Sequence, residues 1–286
     1  MPLNFLSDSA IHPIKRHMKK ALLTAALSLS ASGLAMAHPM WLLPHEFNLS
    51  GEEAEWITVD ASASHTIFGV DKPLSLDKAE IIAPDGSKQR VSSYFKGHRR
   101  SVFDLQIDQP GTWKLSTQRP PVYITHYVSG KRDAEKRMFV DKLEAKKRLP
   151  DNARDVKTML YQISTMSFIT WQAPDNSVLT LKNKGLELAG PTHPSDVVAG
   201  EETEFQLFMD GKPAEDVDVE LTPHGTKYRN DRQMIKIKSD KDGMVRFTPD
   251  MAGPWYLSAY LKQEINNDRA DEAGHILYMT FETQLP

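Results

Sequence analysis

The stretch "SVFDLQIDQPGTWKLST", Ser101 to Thr117, alternates apolar and polar residues over seven positions, breaks at Pro110-Gly111, and alternates again. A period of two puts every second side chain on one face of an extended strand, a pattern that a helix with 3.6 residues per turn cannot use. Pro-Gly supplies a sharp reversal between the runs. The stretch therefore predicts a β-hairpin, and the same rhythm recurs along most of the chain. "EWITVDA", "AEIIAP", "QRVSSYF" and "VYITHYV" read as strands before Gly130, with "APDGS" as a turn. "TEFQLFM", "VDVELTP", "MIKIKS", "MVRFTP", "AGPWYLSAYL" and "HILYMTFETQ" follow Ser177, punctuated by "DGKP" and "DKDG". Many short strands at this spacing predict an all-β chain of two sandwich domains, immunoglobulin-like or prealbumin-like, over 38–130 and 177–286. No sequence period relates the two halves.

Between them "KRDAEKRMFVDKLEAKKRLPD" is rich in helix formers, with Ala134, Met138 and Leu143 near a three-to-four spacing and Pro150-Asp151 as a stop. "YQISTMSFITWQ" then returns to strand composition, so 131–176 is expected to be a charged helical excursion and a connecting strand that joins the sandwiches. The charge run is read as a solvated face. The five tryptophans fall singly at strand positions or strand ends, where core packing accounts for them.

The N-terminal segment has a different design. Met18-Lys19-Lys20 precedes the apolar run "ALLTAALSLSASGLAMA", with Ala35 and Ala37 at the −3 and −1 positions of a cleavage site. That is the layout of a secretory signal peptide, so 1–37 is read as a targeting segment whose working part is 18–37. The run is too short for a stable bilayer span, and no membrane insertion is expected after cleavage. An exported, periplasmic protein is the expectation.

Removing 1–37 takes away four of the 35 Lys and Arg and one of the 38 Asp and Glu, leaving 31 against 37 and a net charge of −6. An acidic chain without a basic run is a poor ligand for phosphate backbones, so nucleic acid is not an expected partner. There is no cysteine, which excludes disulfides, thiolate metal sites and thiol catalysis together.

Cleavage after Ala37 would make His38 the first residue of the mature protein. A free α-amine and the imidazole of one residue can hold a metal together, and both lose their protons near neutral pH. Nitrogen donors of this kind suit Cu(II), Ni(II), Co(II) and Zn(II) rather than Ca²⁺ or Mg²⁺. Pro39 has no amide hydrogen to lose, which excludes the alternative N-terminal site built on deprotonated backbone amides. Met40 is a soft donor available to Cu(I). One residue does not complete a site, since three or four ligands are wanted.

His65, in the loop "SASHTIF", and His45 are the expected completing ligands. The prolines at 39 and 44 leave the relative facing of His38 and His45 open. His98 reads as an exposed turn residue, His126 as a core histidine facing the side of Ile124 and Val128, and His193 and His224 as loop formers. "SDKDG" resembles a calcium-loop fragment but lacks the remaining acids, so it is read as a hairpin turn.

The words "AHPMWLLP", "GHRRSVFDLQIDQPGTWKL", "KGLELAGPTHPSDVVAGEETEFQLFMDGKPAEDVDVELTPHGTKYR" and "SDKDGMVRFTPDMAGPWYLSAY" resemble the DUF4198 family of secreted bacterial proteins. The resemblance implies a periplasmic component linked to nickel or cobalt uptake, and it matches His38 to the histidine that opens such mature chains. With no nucleophile elbow, zinc-protease helix, phosphate loop or dinucleotide fingerprint, no enzymatic activity is expected. The expected function is a metal-binding protein that captures or delivers Ni, Co or Cu, with an envelope metal transporter as partner and no organic cofactor. The alternative is a non-enzymatic protein- or glycan-binding module of the cell envelope.

Overall fold

The computed structural model describes residues 38–286, which form one compact unit. The signal peptide expected over 1–37 lies outside the described residues. The chain is all-β, of sandwich type, with three sheets and a single α-helix among the described residues. No helix among them is long and apolar enough to cross a membrane.

Most of the predicted strands form close to their expected bounds, but "QRVSSYF" does not, since only Lys88–Arg90 and Phe95–Lys96 are strands there and they lie in different sheets. Ser101–Ile107 and Thr203–Met209 coincide with the alternating runs, and their inward positions, such as Phe103, Leu105, Phe205 and Leu207, are buried. Gly111 makes the reversal after Pro110 at φ +117°, where a Cβ would stand 2.2 Å from Asp175 Oδ2. Only glycine fits there, and Asp175 Oδ2 accepts the adjacent Thr112 N–H at 2.8 Å.

One sheet, by hydrogen bonding, runs through most of the molecule. Its order is Ile235–Lys238, Asp218–Pro223, Gly253–Glu264, Glu272–Gln284, Arg154–Trp171, Gly111–Gln118, Ala79–Ile82 and Lys88–Arg90. The seam between the two halves is the parallel pairing of Arg154–Trp171 with Glu272–Gln284, from Met159 opposite Glu272 to Ser167 opposite Thr280. The compositional boundaries at 130 and 177 therefore do not interrupt the sheet. Around it pack Trp255, Phe205, Phe281, Leu257 and Leu277, each at most 1% exposed, and burial on this scale is the main source of stability.

A smaller sheet carries the N-terminal hairpin. Met40–Pro44 pairs antiparallel with Glu55–Ala63, which pairs in turn with Ser101–Ile107. The hairpin is fastened to the large sheet: Tyr256 and Thr280 donate their hydroxyls to the Met40 and Leu42 carbonyls. Ring contacts run from Trp41 through Phe68 to Tyr256 at 5.9 and 6.2 Å.

Further expectations are corrected. The helix predicted over the charged run is confined to Lys142–Arg148, capped by Asp141 accepting from the Glu144 N–H. The preceding Ala134–Met138 is a strand, because Gly130 reverses the chain at φ +92° and lays it beside Thr125–Ser129. His126 is half-buried between Arg137 and Lys157 on the flanking strands rather than in the core. Trp56 stands 66% exposed while the other four tryptophans are buried.

Candidate metal centre

His38 enters from the open end of the N-terminal hairpin. The ladder that pairs Met40 with Ala63 continues one step further, with the Ser64 N–H donating to the Pro39 carbonyl at 3.1 Å. Extending that register brings His38 opposite His65. Their rings meet with centroids 3.9 Å apart and planes at 60°.

The loop that carries His65 is held from several sides. Asp71 Oδ2 accepts the Ser64 hydroxyl at 2.5 Å and the His65 N–H at 3.2 Å, and it lies 3.6 Å from His65 Nδ1. Thr226 donates its hydroxyl to the Ile67 carbonyl at 2.9 Å. Phe68 occupies the left-handed region at φ 58°, a conformation costly for a bulky residue and held here by its contacts with Trp41 and Tyr256. His65 is thus presented on a loop tied to Asp71, Thr226, Trp41 and Tyr256.

The electrostatics favour a neutral donor at His38. Burial lowers its pKa, and the neighbouring His65 and Lys72 lower it further against the opposing pull of Asp71. Hydrogen bonds from Ser64 and His65 hold the Asp71 carboxyl below its ordinary range. His38 Nε2 is buried and has no hydrogen-bond partner. An unsatisfied buried ring nitrogen is uncommon and calls for an explanation.

The expected ligands are not all brought together. His45 follows Pro44 at the far end of the same strand, where its N–H donates to the Thr58 carbonyl and its ring sits in solvent near Glu46. Neither proline bends the strand between them. Seven residues of extended chain separate His38 from His45, about 23 Å, whereas nitrogen ligands on one ion lie within about 4 Å of each other. Met40 is 2% exposed and belongs to the core. Among the described residues no group of three or more His, Cys, Asp or Glu side chains could hold a metal ion.

The remaining motifs have local roles. His193 links Thr112 at 3.2 Å, the Asp175 carbonyl at 3.1 Å and the Ser195 N–H at 3.0 Å, shaping a loop as expected. In "SDKDG", Asp240 caps its own turn through the Asp242 and Met244 N–H groups and pairs with Arg246.

A family model described as "Domain of unknown function (DUF4198)" matches residues 35–263. The chain belongs to that family. No curated protein matches this DUF4198 member. Among solved structures, the D0-D1 domain of Intimin aligns at 12% identity over 85% of this chain and 97% of its own, with a TM-score of 0.20. Domains A168-A170 from titin align at 9% identity over 88% of this chain and 100% of theirs, with a TM-score of 0.21.

Proposed function

We propose that this DUF4198 protein is an exported, non-enzymatic metal carrier that holds a divalent Ni, Co or Cu ion between His38 and His65. The observation that carries the reading is the contact of these two rings beside a buried, unpartnered His38 Nε2. Cleavage after Ala37 adds the α-amine of His38 as the third nitrogen. Three neutral nitrogens suit late first-row metals, which are the cargo of the protein and not a resident cofactor. Asp71 acts on His65, orienting its ring in the way carboxylates commonly support metal-bound imidazoles. An envelope transporter is the partner to which the ion passes.

The test is metal titration of mature protein whose N-terminus has been located at His38 by intact mass. A second version carries one extra alanine before His38, which blocks the amine and keeps both rings. Stoichiometric Ni(II) or Cu(II) binding is expected, weakened on the order of 100-fold by the added residue, the upper range for disturbing a metal's ligand shell. Equal affinity in the two versions would overturn the reading.

A further inference from the structure

A second cluster lies on the large sheet, away from the histidines. Register places Lys88, Ile82, Lys114 and Phe168 in one row across four adjacent strands, so their side chains share one face. Glu80 and Ser116 form the next row. Opposite this face runs 179–188, with Leu179, Leu186 and Leu188 buried against the core and Lys182 exposed. Between the two walls is a cleft of about 620 Å³.

The charge in the cleft departs from that of the chain. Lys78, Lys88, Lys114, Arg119, Lys182 and Lys184 line it against two carboxylates, Glu80 and Glu187, in a chain of net charge −3. Both oxygens of Glu187 already accept the Lys182 and Lys184 backbone N–H groups, at 2.8 and 3.1 Å, closing the loop. Among the described residues none of the five lysines lining the cleft forms an ion pair.

Lys114 is the central case. It is partly buried at the middle of the floor, its Nζ 5.6 Å from the centroid of the Phe168 ring. Burial, with Lys182 adding to it, pushes its ammonium down to about 8, so it remains largely charged at neutral pH. Keeping an unpaired cation there costs stability, and a bound anion would repay it. Lys88 and Lys114 sit two strands apart, roughly 10 Å, with the apolar Ile82 between them.

We propose that this cleft binds a small polyanion, one with anionic oxygens at two or more points around a compact skeleton. The paired lysines across Ile82 meet separate anionic groups, Lys182 and Lys184 close over them, and the leucines of the opposite wall contact the skeleton. The volume lies within the range of small-molecule sites. Carboxylate and phosphate offer the same oxygen chemistry to lysine, and the test separates them.

Calorimetric titration at low ionic strength would use citrate for carboxylates, pyrophosphate for phosphates and glycerol as the uncharged control. Binding of citrate, pyrophosphate or both is expected at a Kd below about 1 mM, and it identifies which group the cleft takes. It should fall tenfold or more in Lys114→Met and in Lys182→Glu. Lys182 is exposed, so its variant keeps the test intact if Lys114→Met does not fold, and circular dichroism establishes which variants are native. Failure of both probes to bind, or unchanged affinity in the folded variants, would overturn the proposal.

Discussion

The histidine end of the first hairpin and the lysine cleft are both set by strand register, yet they are opposite in kind. His38 and His65 meet across one hairpin, and the environment of His38 favours its neutral form. The cleft gathers charge from four separated segments and leaves its lysines unpaired among the described residues. Neutral nitrogens with lone pairs accept a metal cation. Clustered ammonium groups repel one and attract anionic oxygen. On the two proposals, a single fold would carry two recognition chemistries that do not compete for the same ligand.

The largest change expected from a side-chain substitution is at His65. His65→Ala should weaken Ni(II) or Cu(II) binding on the order of 100-fold in competition titrations, while citrate and pyrophosphate binding stay as they were. Equal loss at both sites would show that they are not separate. Asp71→Asn should cost about tenfold in metal affinity, because the amide cannot support the His65 ring as a carboxylate does.

Lys114→Met should move the opposite way in stability. At pH 7 it removes a buried charge, so Tm should rise by roughly 2–4 °C, the shift that about 1 kcal/mol produces in a domain of this size. The pH dependence follows from the lowered pKa. Between about 8 and the ordinary value of 10.5 the unfolded chain binds the proton that folded Lys114 has lost, so this residue makes stability rise with pH across that window. Anion binding should decline over the same range, under the combined field of Lys182 and Glu187. Thermal melts at pH 7 and 9.5 on wild type and Lys114→Met measure the difference. His45→Ala marks the bottom of the scale, with metal affinity unchanged within about twofold. A large loss there would require the far end of the strand to reach the ion.

The strands were legible because alternation and turn residues act locally, as in Ser101–Ile107 and its Pro-Gly reversal. His38 and His65 could be named as candidates from a cleavage signal and a loop, but their contact depends on the ladder continuing past Pro39. The exclusion of His45 depends on the strand staying straight between two prolines, which local propensity does not decide. Ala134–Met138 departs from its local propensity because pairing with Thr125–Ser129 outweighs its helix formers. The lysine cleft left no signal. Lys114 occupies the polar position of "TWKLST" just as a solvent-facing residue would, and its opposite wall is some seventy residues further on. Trp56 is likewise exposed with no visible cause in its own segment.

The strand Glu272–Gln284 lies in the interior of the large sheet, paired on one side with Gly253–Glu264 and on the other, in parallel, with Arg154–Trp171. Arg154–Trp171, its long parallel partner, is over a hundred residues earlier, so the sheet cannot close until Glu272–Gln284 is present. Non-local pairing of this kind slows folding. Under the proposal that the chain is exported, that delay would keep it threadable during crossing. It also makes the C-terminal segment the step at which the two long flanking strands cease to be open edges prone to mispairing.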